Sequence, residues 1–284
     1  MTRLQTTEDV EEFVAAADTY LLGDPVANTV ALTVVAQLQA GTAVGDGTPR
    51  FGWLTDDGDS VVAAATWTPP YPVSLATNDP SYAEALADGF RDAVGVIGST
   101  EAAHAFTAAV GRPSTLYMTE LQYRLDQVDP PELPPGGPQP IVTDADLDLA
   151  ADWLDAFVAE TGVMRLTGPS REVVVSRLAR GVLWFWSEQG VPVCMAGYVN
   201  AGGGVPRIGP VYTPAEHRGH GYAGALTAAV AEDALAKGAV AVTLFADAAN
   251  PTSNNVYRRI GFREVAWVVD LRFADPAAGS GSGR

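Results

Sequence analysis

The sequence predicts an α/β protein made of two tandem units, each a mixed (α+β type) central sheet flanked by helices. Three observations carry this. A Pro/Gly-rich stretch from Asp129 to Pro138 divides the 284 residues into halves of similar length, and that length suits two domains. Both halves then show one succession of short strand, acid-started helix, second helix and hairpin. Finally, the second half contains a Gly-rich turn between an apolar strand and a long helix.

The elements follow in order. Arg3–Thr6 reads as a strand and Asp9–Leu22 as a helix with Val10, Phe13, Ala16 and Ala17 inward. A second helix covers Pro25–Ala40. Phe51–Thr55 and Ser60–Thr68 form strands joined across Asp56-Asp-Gly58. Prolines that fix φ and glycines that free it mark residues 129–138 as a linker, which bounds a first domain at 1–128. After it, Gln139–Val142 is again a strand. Asp144–Glu160 is again an amphipathic helix, with Leu147, Ala150, Leu154 and Phe157 on one stripe. Ser170–Arg180 is a second helix, and Leu183–Ser187 and Val191–Asn200 form a hairpin across Glu188-Gln-Gly190. The second domain spans 139–274, and the Gly/Ser-rich tail from 275 onward is expected to be disordered.

Composition sets outer limits. The formal net charge is −17, from 34 acidic and 17 basic side chains. Such a chain repels phosphate backbones, which argues against nucleic acid as a partner. The charge serves solubility or attracts a cationic amine. The single cysteine, Cys194, precludes an intrachain disulfide and fits a reducing cytoplasm. Acidic residues stand near the N-terminus where a signal peptide would be apolar. No apolar run approaches the about 20 residues of a membrane span. With three histidines and one cysteine, no metal site is expected. A cytoplasmic protein without membrane contact is expected, with its oligomeric state open.

The informative stretch runs from Ile208 to Gly224. Ile208–Tyr212 reads as a strand, in which Pro210 lacks a donor and so implies splaying or an edge. Thr213–His217 is a turn. Arg218-Gly-His-Gly-Tyr-Ala-Gly224 leads into a helix over Ala225–Lys237, closed by Gly238. Small residues at a helix start let backbone N–H groups approach an anion, and the helix adds unpaired donors and a positive dipole end. A diphosphate suits such a turn. The spacing is neither the dinucleotide Gly-x-Gly-x-x-Gly pattern nor a P-loop.

Arg218-x-x-Gly221-x-Ala223 resembles the pyrophosphate loop of GNAT acetyltransferases. About 30 residues on, the helix opened by Asn250-Pro-Thr-Ser-Asn-Asn-Val-Tyr257 and followed by Gly261-Phe262 resembles that family's second motif. The resemblance implies acetyl-CoA as co-substrate and no metal. It also implies that backbone groups of Val211 and Tyr212 hold the pantetheine arm and acetyl carbonyl. The amides of Arg218, Gly219, His220, Gly221, Tyr222, Ala223 and Gly224 would hold the pyrophosphate, with Asn250 and Ser253 facing the cofactor. Tyr257 would stand near the sulfur as general acid, a role open to a phenol within hydrogen-bond reach of a leaving thiolate. For the base that an ammonium acceptor needs, Glu160 and Glu188 are the candidates. Glu188 also reads as a solvated turn residue. His217 and His220 read as phosphate or solvent contacts.

Where the first half should carry such a loop it reads Ala76-Thr-Asn-Asp-Pro-Ser-Tyr82, without Arg or Gly and with Asp79 opposing an anion. That half reads as a degenerate unit without phosphate loop. A tandem pair with one active member is similar in architecture to mycothiol synthase, a likeness that transfers no substrate. Trp67–Tyr71 reads either as a wall of an acceptor cleft or as a packed loop. Three functional readings follow. The leading one is transfer of acetyl from acetyl-CoA to a small-molecule primary amine, by direct attack in a ternary complex. The others are acetylation of protein N-termini or lysines, and a non-catalytic CoA-binding sensor.

Overall fold

The computed structural model describes residues 2–42, 44–162 and 168–274. In chain order, the first half forms β1 (Arg3–Thr7), α1 (Val10–Gly23), α2 (Thr29–Gln39), β2 (Arg50–Thr55), β3 (Val61–Trp67), β4 (Val73–Ala76), α3 (Pro80–Leu86), β5 (Gly95–Ser99), α4 (Thr100–Val110) and β6 (Ser114–Leu125). The second half forms β7 (Gly137–Pro140), α5 (Asp144–Thr161), α6 (Ser170–Arg180), β8 (Gly181–Glu188), β9 (Val191–Val199), β10 (Arg207–Tyr212), α7 (Tyr222–Ala236), β11 (Val242–Asp247), α8 (Pro251–Arg259) and β12 (Arg263–Phe273). The expected mixed α/β architecture is what the chain adopts. The tail from 275 onward lies outside the described residues.

The compact units do not follow the chain's halves strand for strand. One unit takes the residues up to Leu121 together with those from Ala266 onward; the other is Gln122–Val265. In the first, strands lie in the order β1-β2-β3-β4-β5, with the end of β12 next to β5. That pairing is antiparallel, from Val268 opposite Ser99 to Arg272 opposite Gly95. Val269, Leu271 and Phe273 of β12 join Leu86, Phe90, Val96 and Phe106 in one buried cluster. The last strand of the chain is therefore part of the first unit's core, and its apolar side chains alternate as a half-buried strand requires.

The second unit orders the end of β6, then β11, β10, β9, β8 and β7. Thr143 and Asp146 start α5 with a reciprocal capping box, which satisfies otherwise unpaired N–H groups. Ala150, Leu154, Val174, Phe185, Met195 and Tyr212 form the core between α5, α6 and the sheet. The hairpin turn has left-handed φ at Gln189 (51°) and Gly190 (81°), the pairing that two-residue reversals need. Strand β7 takes in the last residues of the Pro/Gly stretch, so the first strand of this half begins earlier than Gln139. No helix of the described residues is long and apolar enough to cross a membrane.

Candidate active site

Strand β10 changes partners along its length. It pairs in parallel with β11 at Arg207–Thr243 and Ile208–Leu244, although the two strands continue to Tyr212 and Asp247. On its other side it pairs with β9 at Ile208–Tyr198 and then at Val211–Ala196. Three steps on β10 against two on β9 make a bulge at Gly209-Pro210. Proline has no N–H for a ladder, so the strand breaks register there. From Gly209 onward the β11 side of β10 is free of that ladder.

Beyond the strand, Gly219 and Gly221 hold left-handed φ of 83° and 84°. A methyl group added at either would meet nothing within 4 Å, so the loop presents bare backbone to open space. Gly221 is the N-cap of α7, and no side chain caps that helix. The start of a 15-residue helix thus keeps its dipole and first-turn amides uncovered by any side chain. The loop faces a cleft of about 680 Å³ lined by His220, Gly221, Tyr222 and Gly224, by Val256 and Arg259 of α8 with Ile260 just after it, by Glu188, and by the segment Pro131–Pro135. Tyr222 lies stacked on His220, with centroids 5.5 Å apart, and donates its hydroxyl to Glu188. That hydrogen bond raises the phenol's pKa.

The guanidinium of Arg218 lies elsewhere. Its Nη2 donates to Glu160 Oε2 at 2.5 Å and its Nε to the carbonyl of Thr213 at 2.9 Å. Glu160 accepts at its other oxygen from the Tyr212 hydroxyl at 3.0 Å. Arg218 first, then Tyr212, hold the Glu160 carboxyl below its ordinary pKa. Burial, with Glu160, pushes Tyr212 up.

Tyr257 is buried in α8, its ring packed on Tyr123 (6.1 Å) and Phe262 (6.0 Å). Burial foremost, then Cys194 and Tyr123, raise its pKa well above that of a free phenol. Asn250 caps α8, accepting from the Ser253 amide at 3.1 Å, so these two residues are tied to each other. Gly261 has φ of 100°, and a Cβ there would lie 2.8 Å from the Gln127 carbonyl; that close approach accounts for the glycine before Phe262. Cys194 is buried, its thiol pushed up to about 12 by desolvation, and it accepts from Thr213 Oγ1 at 3.2 Å.

The structure therefore brings the predicted residues into three groups. His220, Gly221, Tyr222 and Gly224 line the cleft; Arg218, Tyr212 and Glu160 form a bonded cluster; Asn250 and Ser253 close the start of α8, with Ser253 one turn before Tyr257. Gly219 and Ala223 lie within the loop and first turn, and Val211 on the free stretch of β10. Sequence reasoning missed Arg259 and the Pro131–Pro135 wall. It also missed Asn254, which is buried and bridges the Tyr123 hydroxyl (3.1 Å) and the Asp247 carbonyl (3.0 Å). A polar residue one position past Ser253 is the only trace that the last leaves in the sequence.

The corresponding place in the first unit differs. Asp79 caps α3, accepting from the Ser81 amide at 2.8 Å and the Ser81 hydroxyl at 2.6 Å. These bonds lower its pKa, and its charge occupies the donors that an anion would need. Trp67 Nε1 donates to the Tyr71 carbonyl at 2.9 Å, and Arg50 lies 5.0 Å over the Trp67 ring, so this aromatic segment packs within its own unit.

Residues 150–262 match the family model described as the acetyltransferase (GNAT) family. No curated protein matches the chain by sequence. Among solved structures, an acetyltransferase of the GNAT family from Colwellia psychrerythraea is similar over 96% of this chain and 100% of its own, with a TM-score of 0.59 and 12% identity. A tandem GNAT protein from the clavulanic acid biosynthesis pathway is similar over 97% of this chain and 99% of its own, at 0.63 and 16%. A GCN5-related N-acetyltransferase from Sphaerobacter thermophilus is similar over 95% of both chains, at 0.56 and 17%. At such identities the shared property is the fold. Residues 150–262 are accordingly a domain of the acetyltransferase (GNAT) family, set in a chain with the fold of a tandem GNAT protein.

Proposed function

We propose that this chain transfers an acetyl group from acetyl-CoA to a primary amine of a small molecule, in a single ternary complex. The observation that carries this reading is the uncapped start of α7, where two left-handed glycines expose backbone to an open cleft. Anions bind at such helix starts because unpaired N–H groups and the dipole act together. The helix start fits a diphosphate, since no carboxylate caps it; the cleft wall carries Arg259 together with Glu132 and Glu188, the last of which accepts from the Tyr222 hydroxyl.

When bound, acetyl-CoA supplies an acyl group activated as a thioester. The amides from Arg218 to Gly224 hold its diphosphate, and the free backbone of Val211 and Tyr212 holds the arm that carries the acyl group. Asn250 and Ser253 flank that arm from the start of α8. Tyr257 donates a proton to the departing sulfur; its raised pKa keeps it a neutral donor across the working pH range. Glu160 is engaged at both oxygens and held ionised, so it is a weak base. Its negative charge draws the ammonium end of the acceptor and anchors Arg218; the ammonium gives up a proton to water, the free amine attacks the thioester carbonyl, and the C–S bond breaks as the C–N bond forms. The first unit, with Asp79 filling its own helix start, binds no CoA in this scheme.

Calorimetry with acetyl-CoA, followed by acetyl transfer to a panel of small amines and to peptides with free N-termini or lysines, tests the proposal. Binding with turnover of small amines supports it. Absence of acetyl-CoA binding sinks it, and turnover confined to peptides replaces the acceptor class.

A further inference from the structure

Carboxylates outnumber cations two to one in this chain, and most arginines of the second unit have found one. Arg171 pairs with Asp144 and Asp148, Arg218 with Glu160, and Arg258 with Glu264. Among the described residues, Arg177 and Arg180, on consecutive turns of α6, have not. Arg177 donates through Nη1 to the Gly209 carbonyl at 2.7 Å, while its Nε is buried with no hydrogen-bond partner. Arg180 donates, among the described residues, to the carbonyl and hydroxyl of Ser176, at 3.1 and 3.3 Å. The charges acting on Arg177 are those of Arg207 and Arg180, and burial first, then these two, lowers its guanidinium to about 10.

A guanidinium with a buried, unpartnered N–H beside a like charge is costly unless an anion offsets it. Holding the carbonyl at the β10 bulge does not account for the arrangement, because that task uses one of five guanidinium donors. The location supplies the rest. Gly209 is the residue at which β10 leaves the β11 ladder, two positions before Val211. The guanidinium of Arg177 is therefore anchored at the residue where β10 leaves that ladder, next to the stretch assigned above to the arm that carries the acyl group.

Resting on the acetyltransferase reading above, we propose that Arg177 and Arg180 bind a carboxylate of the acyl acceptor. The acceptor is then an amine that also carries a carboxylate, of the amino-acid class. The chain's overall charge is consistent with such a zwitterion. The long-range negative field attracts the ammonium, and a local positive cluster takes the acid end in the bidentate manner suited to guanidinium.

The test compares matched acceptors, an amino acid panel against the corresponding carboxamides and decarboxylated amines, with the wild type, Arg180→Ala and Arg177→Lys. Preference for the carboxylate by about tenfold or more in kcat/KM is expected, the scale of a hydrogen bond to a charged group. Arg180→Ala should narrow that preference through the KM of the carboxylate acceptor. Arg177→Lys, which keeps the charge and loses the fork, should retain part of it. Wild-type enzyme that acetylates carboxamides as well as acids overturns the proposal, as does an Arg180→Ala enzyme with its preference intact. A titration of acetate into protein saturated with CoA reads the anion site without turnover. Saturable binding that weakens in Arg180→Ala supports the site, and no binding to the wild type overturns it. Acetyl-CoA affinity is measured separately, so failure of the transferase reading shows there, and the acetate titration into free protein still decides the anion site.

Discussion

Arg218 donates through Nη2 to Oε2 of Glu160 at 2.5 Å, so the one arginine of the Gly-rich loop is held against α5 and is not among the residues lining the cleft. The pair is half exposed, at 50% and 45% of the side chains' surface, and contributes under about 1 kcal/mol to stability. Glu160→Gln should therefore leave the thermal midpoint at neutral pH nearly unchanged while raising the acceptor KM. The pH dependence has a definite sign. A depressed carboxyl pKa stabilises the fold above the unfolded value near about 4.3, and that contribution is lost as pH falls through the depressed folded value. Thermal midpoints of the wild type and Glu160→Gln should converge toward the acid side. A gap that widens there contradicts the assignment.

Gly221→Ala separates binding from folding. Its φ of 84° costs an alanine roughly 1–2 kcal/mol, yet the added methyl meets no protein atom within 4 Å. The variant should fold with a modestly lowered Tm and bind acetyl-CoA at least about tenfold more weakly, because the methyl stands where the phosphate is to approach. Calorimetry on the folded variant checks this, and an unchanged Kd removes the loop from the binding site.

Tyr257→Phe should lower kcat by roughly 10²–10⁴, the range of a lost general acid, with acetyl-CoA affinity nearly unaltered. Because burial raises the folded pKa of this phenol, its contribution to stability is full below pH about 10, the unfolded value, and is lost as pH rises beyond it. Urea unfolding from pH 8 to 11 should show a shallower alkaline decline for Tyr257→Phe than for the wild type. Undiminished turnover would remove the acid role.

Asn254 is a structural counterpart to these residues. It is 2% exposed and joins the Tyr123 hydroxyl to the Asp247 carbonyl, linking β6, α8 and the end of β11. Asn254→Ala removes both bonds, while the Tyr123 hydroxyl keeps Glu264 at 3.4 Å and the Asp247 carbonyl keeps the Asn250 amide at 3.0 Å, so the loss should be about 2 kcal/mol, roughly one for each bond. Chemical denaturation measures the loss. Asn250→Ala, at an exposed cap, should cost about 1 kcal/mol, and an Asn254→Ala variant no less stable than that would contradict the bridge.

What the sequence determined by itself is local. The strand–glycine–helix connection at Ile208–Gly224, the cap at Asn250, the hairpin turn at Glu188-Gln-Gly190 and the helix Ser170–Arg180 follow from φ preferences, caps and periodicity within a few residues. The sequence also set a Gly-rich loop against an Asp79 that opposes an anion, but α7 begins at Tyr222, earlier than the expected Ala225, and Asp79 proves to cap α3. Tertiary structure alone decided which distant groups meet. It placed the end of β12 in the first unit's core, set Pro131–Pro135 and Arg259 on the wall of one cleft, and closed the 58-residue separation between Glu160 and Arg218. It also set Arg177 at the β10 bulge with no carboxylate partner among the described residues. Such pairings depend on strand register and on how helices pack against the sheet, and these arise from the burial of the whole core rather than from any one stretch of chain.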